Sequence, residues 1–142
     1  MTRRLLAEAI GTDNTAAEAV LAEALEQELI VDAVLSQNES QRQNLWAMRD
    51  DVEQCSRFGP SYIFDVSLRL SCMEDYVAAV NAGLAQVFAG GAVKNFTFGH
   101  MGDGNLHFSI SPCVETEDDL DPGVREDVER CVYEPLQAIG GS

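Results

Sequence analysis

His100 and His107 are the only two histidines in this chain of 142 residues, and the sequence between them reads as a turn. Asp103-Gly104 stands between two apolar runs, the pattern of a two-residue hairpin. With that pair in the turn, Gly102 should face Asn105, Met101 should face Leu106 and His100 should face His107. Directly opposed residues share a sheet face, with Cβ atoms about 5 Å apart. Two imidazoles so placed can converge on one divalent ion such as Zn, Fe or Mn. Such a site needs at least one more ligand and open positions for substrate. Zinc there would act as a Lewis acid on a substrate oxygen. A stacked, hydrogen-bonded histidine pair is the alternative, and the spacing leaves both readings open.

Two further residues have chemical potential. Arg49 borders an apolar arc of its helix and could clamp an acid substrate through its planar fork of donors. The competing reading is an ion pair with Asp50, Asp51 or Glu53. Asp65 falls within a strand, where Asp is disfavoured, so it is an edge residue, a partner for an arginine or part of a site. Other motifs fare worse. Gly99 to Gly104 does not have GxGxxG spacing and precedes a strand, which argues against a phosphate cradle. GxSxG and GxxxxGK[ST] are absent. The acidic run Glu115–Asp121 lacks the spacing and central glycine of a calcium loop and reads as solvated.

The elements that must hold these residues follow from periodicity. Arg3–Ile10 reads weakly as a strand or helix start, and Gly11–Asn14 as a turn. Thr15 with Glu18 resembles a capping box opening a helix to about Leu29. Ile30–Leu35 reads as a short buried strand. A second helix should run from after Ser40 to about Cys55 and end at Phe58-Gly59-Pro60. Tyr62–Leu70 is aromatic and β-branched, hence a strand. Ser71 with Glu74 suggests a cap for a helix that Gly90-Gly91 stops. Ala92–Met101 and Asn105–Ser111 are the hairpin strands. Asp121-Pro122 opens a last helix that Pro135 should kink or end. This order predicts an α+β fold: a mainly antiparallel sheet with helices packed on one face.

Composition bounds the partners. The net charge of −15 argues against nucleic acid and anionic membranes. No apolar run approaches the ~20 residues of a membrane span. Length predicts one domain, residues 1–142. Cys55, Cys72, Cys113 and Cys131 form no CxxC and read as reduced thiols, consistent with an expected cytoplasmic location. The parent protein's peripheral attachment to a membrane is the alternative location.

Phe98-Gly99-His100-Met101-Gly102-Asp103-Gly104-Asn105-Leu106-His107 resembles the signature of the FAD-linked oxidase C-terminal domain, of the vanillyl-alcohol-oxidase-like flavoproteins. That group includes D-lactate dehydrogenases, the glycolate oxidase flavin subunit and D-2-hydroxyglutarate dehydrogenase. Leu45-Trp46-Ala47-Met48-Arg49-Asp50-Asp51 is similar to the family's LW-x-x-R-[ED] helix, and Phe64-Asp65-Val66-Ser67-Leu68 to its DVS strand. Gly140-Gly141-Ser142 looks like the start of its GGS-[IV]-S-x-E-H-G segment. The resemblance covers about residues 30–142.

It implies a ferredoxin-like cap domain from an oxidoreductase that passes hydride from a 2-hydroxy acid to flavin N5. His100 and His107 match the family's metal-ligand histidines, with zinc the expected ion. Arg49 matches the arginine that binds the substrate carboxylate. Asp65, Asn105 and Ser109 would line the site. The family's glutamate ligand and candidate base fall beyond Ser142, so no catalytic residue is expected within this chain. Ile63 stands where some members carry Lys, and Ser109 where some carry Asn. FAD would be bound mainly by a separate flavin domain of the same parent chain. The isolated cap should be inactive and could pair as a homodimer through its flavin-side face. A freestanding ferredoxin-like binding or regulatory module is the main alternative. A small metal-dependent hydrolase built on the two histidines ranks last.

Overall fold

The computed structural model describes residues 5–8 and 15–142 of the chain. The expected turn at 11–14 and half of the expected first element at 3–10 lie outside those residues. The chain divides into two compact units, residues 1–52 and residues 53–142.

The first unit contains α1 (Thr15–Glu26) and α2 (Glu39–Asp50). Asn38 caps α2, its side chain accepting from the Gln41 amide and satisfying one orphan donor of the first turn. The helix stops at Asp50, short of the expected Cys55, and a 3-10 stretch, Val52–Phe58, follows. The expected strand at 30–35 does not form. An apolar run becomes a strand only where another strand offers backbone partners, and this one finds none. Val31 is left 95% exposed.

The second unit holds β1 (Tyr62–Ser67), α3 (Met73–Val87), β2 (Lys94–His100), β3 (Asn105–Ser111) and α4 (Pro122–Ala138). The strands form an antiparallel sheet in the order β1-β3-β2. The expected α+β architecture is therefore present, with a small antiparallel sheet and helices against it. Period-two alternation sends Tyr62, Phe64 and Val66 of β1 to the same face as Leu106, Phe108 and Ile110 of β3. That face is buried, together with Tyr76, Val80 and Leu84 of α3 and Val128, Val132 and Leu136 of α4. The Tyr76 hydroxyl donates to the Val132 carbonyl at 2.9 Å and ties the two helices together.

Several helix ends depart from the sequence reading. Ser71 does not cap α3; the flanking residue is Cys72, with no side-chain bond to the helix, and a short 3-10 turn precedes it. Asp121 does cap α4, accepting from the Gly123 amide at 2.7 Å. Pro135 does not end α4, which continues to Ala138. Burial of Val132 and Leu136 on either side of Pro135 holds the last turn against the sheet despite the missing N–H donor.

Candidate functional site

The uncovered face of the sheet carries the alternate residues of each strand. The register sets Asp65 of β1, His107 of β3 and Phe98 of β2 in one row. Ser67, Asn105 and His100 form the next row, and Ile63, Ser109 and Phe96 the one on the other side. The structure thus gathers five of the six expected site residues, His100, His107, Asp65, Asn105 and Ser109, onto one face.

The predicted register was wrong by two residues. His107 faces Phe98, and His100 faces Asn105. The connection is Met101–Gly104, a single 3-10 turn closed by Gly104 in the left-handed region at φ 73°. Asp103-Gly104 therefore ends a four-residue loop instead of forming a two-residue turn. Because side chains alternate with period two, a shift of two keeps both imidazoles on the same face, whereas a shift of one would have separated them. The rings now meet on the diagonal of the ladder, with centroids 5.6 Å apart and planes at 85°.

The loop is pinned from β1's side. The Leu68 amide donates to the Gly104 carbonyl at 2.9 Å, and a Cβ at Gly104 would lie 2.4 Å from the Leu68 oxygen. Gly99 is equally constrained, since a Cβ there would meet the Asn105 carbonyl at 2.1 Å. Both glycines permit close backbone approach around the hairpin, so the spacing that looked like a glycine-rich loop serves packing.

His107 sits on the central strand and has neighbours on both sides. Its Nδ1 lies 3.3 Å from Asp65 Oδ2. Phe98 lies against the ring with a centroid separation of 5.2 Å. Asn105 donates through Nδ2 to the other oxygen of Asp65. The side-chain oxygens of Asn105 and Ser109 are buried without a hydrogen-bond partner. Ser109 is only 2% exposed, whereas Ile63 beside it is 65% exposed. Sequence reasoning gave Phe98 no role of its own; only the length of the hairpin loop could have revealed it as the residue opposite His107.

Arg49 stands on α2 in the first unit. Its guanidinium pairs with Asp50 at 2.7 Å and lies over the Trp46 ring at 5.8 Å. Asp50, one of the ion-pair partners expected from spacing, is therefore observed. Both partners are about half exposed, so the pair contributes little to stability.

The donor chemistry fits a divalent ion in part. Two imidazoles on one face suit zinc or a neighbouring transition metal. Among the described residues no group of three or more His, Cys, Asp or Glu side chains could hold an ion. The described residues therefore offer two imidazoles and no third donor beside them. The described cysteines are free thiols, with Cys55, Cys72 and Cys131 partly buried. No helix among the described residues is long and apolar enough to cross a membrane.

Residues 4–141 match the family described as FAD linked oxidases, C-terminal domain. The chain is 33% identical over 89% of its length to a D-2-hydroxyglutarate dehydrogenase of Xanthomonas citri pv. viticola, covering 26% of that protein. It is 36% identical over 64% of its length to the mitochondrial D-2-hydroxyglutarate dehydrogenase of Bos taurus, covering 16% of it. It is 32% identical over 75% of its length to the mitochondrial enzyme of that name in Arabidopsis thaliana, covering 19%. The chain thus spans about a quarter or less of the curated relatives it matches. The expected cytoplasmic location is overturned by these comparisons, because the mammalian and plant relatives are mitochondrial proteins. Thiol content could not decide location, since compartment is addressed by segments separate from the folded domain.

Proposed function

Because the chain belongs to the family of FAD linked oxidases, C-terminal domain, we propose that it is the substrate-side cap of an FAD-dependent 2-hydroxy-acid dehydrogenase or oxidase. The flavin-binding half is then another part of the same polypeptide. The observation that carries this reading is the His100–His107 pair, held edge to face on the uncovered side of the sheet. A cap must present polar groups on a surface that a second body can close over.

In this reading the flavin supplies a hydride acceptor at N5. A divalent ion, most simply zinc, supplies a Lewis acid at the substrate oxygen. His100 and His107 are this chain's ligands to it, completed by groups from outside the described residues. Arg49 binds the substrate carboxylate. Exchanging Asp50 for a substrate carboxylate costs little, because the existing pair is exposed to water. Asp65, Asn105 and Ser109 line the site on the same sheet face as the two histidines. The proton acceptor for the substrate hydroxyl is supplied from beyond this chain. In isolation the open face could be covered by a second copy.

The same reading makes the fold ferredoxin-like. The order β1-α3-β2-β3-α4 with strands arranged β1-β3-β2 matches that motif up to its last strand. Ser67 and Ser142 exchange two backbone hydrogen bonds, of 2.6 and 3.0 Å, on the free edge of β1. A fourth strand pairing there would complete the motif.

The test is oxidation of D-2-hydroxyglutarate, D-lactate and glycolate by the full-length flavoprotein, followed as flavin bleaching without an added acceptor. At least one should reduce the flavin within seconds. A protein that carries FAD and is reduced by none of the three would overturn the assignment.

A further inference from the structure

One end of the uncovered sheet face carries two cations that the described residues do not neutralise. The chain has a net charge of −15. Arg42, Arg49, Arg125 and Arg130 each pair with a carboxylate. Arg57 and Lys94 form no ion pair among the described residues. Their charged ends lie instead over one ring, Phe58, at 5.3 and 5.5 Å from its centroid. Both side chains belong to exposed residues. Phe58 is itself held: its ring stacks on Phe96 with centroids 5.7 Å apart, and its carbonyl accepts from the Ser111 hydroxyl at 2.9 Å. Alternation puts Lys94, Phe96, Phe98 and His100 on the uncovered face of β2, with Lys94 opposite Ser111. The cluster therefore continues the face that carries the two histidines, and Lys94 stands about 13 Å along β2 from the Phe98–His107 row.

We propose that Phe58 and Phe96, rimmed by Arg57 and Lys94, form a docking surface for the flavin-binding half of the same polypeptide, and that this half meets the two cations with carboxylates. An aromatic centre with a charged rim has the composition of a protein–protein contact, where aromatic residues and arginine are enriched. Charge selects the partner. Contact with the Phe58 ring holds both cations in place without neutralising them, so they stand preformed for an anionic surface. The carboxylates of α4, Glu126, Asp127, Glu129 and Glu134, belong to a helix packed on the other side of the sheet. A second copy related by a two-fold axis would set the patch against itself, cation against cation. A small 2-hydroxy acid held at the histidines is too short to reach Lys94. The proposal rests on the cap reading for the identity of the partner, since that reading requires a second body over this face.

Limited proteolysis of the full-length flavoprotein between its two halves reads docking, because cleavage tracks the population of the opened form. Arg57→Glu combined with Lys94→Glu should raise the cleavage rate about tenfold or more, since like charges in an interface repel. Arg57→Gln with Lys94→Gln should raise it less. Salt of about 1 M should bring the wild-type rate toward that of the Gln pair by screening. Arg125→Glu reverses a charge on α4 and should leave the rate unchanged. An unchanged rate in the Glu pair, or an equal rise in Arg125→Glu, overturns the proposal. If urea unfolding shows that the Glu pair disturbs the fold, the Gln pair decides, and a Gln pair that cleaves like wild type overturns it. A Glu pair that shifts the oligomeric state without changing cleavage assigns the patch to a second copy and also overturns it. Full-length protein without flavin absorbance would refute the functional reading, while the cleavage comparison still decides whether this patch docks the rest of the chain.

Discussion

Phe98 lies directly across the ladder from His107, and His100 reaches the same ring only from the diagonal, 5.6 Å away between centroids. A four-residue loop produces this offset, and the offset turns the two imidazoles edge to face. The rings therefore meet at a steep angle instead of stacking.

Metal content tests the role proposed for this pair. The full-length flavoprotein purified without an affinity tag should retain zinc, and His100→Ala and His107→Ala should each lose most of it. In the proposed site, removing either imidazole would break the chelate, a large penalty where few donors are present. Equal zinc by elemental analysis in wild type and His100→Ala would remove the histidine pair as a metal site.

The hairpin glycines should differ sharply in tolerance. Gly104→Ala places a Cβ 2.4 Å from the Leu68 carbonyl at φ 73°, so stability should fall by about 2 kcal/mol. Gly102→Ala meets nothing within 4 Å and should change stability by less than about 1 kcal/mol. Urea unfolding of both variants checks the contrast, and similar midpoints would count against the turn described here.

Alkaline stability should depend on Tyr76. Burial between α3 and α4, reinforced by Tyr133, pushes its phenol well above the ordinary tyrosine value. The folded state therefore keeps the proton after the unfolded chain begins to lose it. The stabilisation is complete below about pH 10, the unfolded pKa, and is lost as pH rises from there towards the folded pKa. Tyr76→Phe should lower stability at neutral pH by about 1 kcal/mol, through the lost bond to Val132, and should flatten the decline above pH 10. Denaturant titrations at a series of alkaline pH values distinguish the two slopes; parallel slopes would mean that another group governs the decline.

Substrate preference should respond at Ile63, an exposed apolar residue in the row next to Asp65 and His107. In the full-length flavoprotein, Ile63→Lys adds a cation that a second substrate carboxylate can use. The kcat/KM ratio of D-2-hydroxyglutarate to D-lactate should rise about tenfold or more, the worth of one charge-assisted hydrogen bond. An unchanged ratio would place the distal end of the substrate elsewhere.

The sequence by itself determined the faces. Alternation of apolar and polar residues in Tyr62–Ser67 and Asn105–Ser111 dictated which side of each strand is buried, and no loop length of the same parity could move His107 to the core. It also carried the strand boundaries of β3, the Asp121 cap and the family signature around the two histidines. Tertiary structure decided the rest. Whether Asp103-Gly104 forms the turn or merely ends it depended on Leu68 reaching across from β1 to the Gly104 carbonyl, a contact 36 positions away along the chain. Whether Ile30–Leu35 became a strand depended on a pairing partner, and none met it. Pro135 stayed inside α4 because packing of Val132 and Leu136 outweighs one missing backbone bond. Local pattern sets which way a side chain points, but register, pairing and helix length are settled by contacts between segments far apart in the chain.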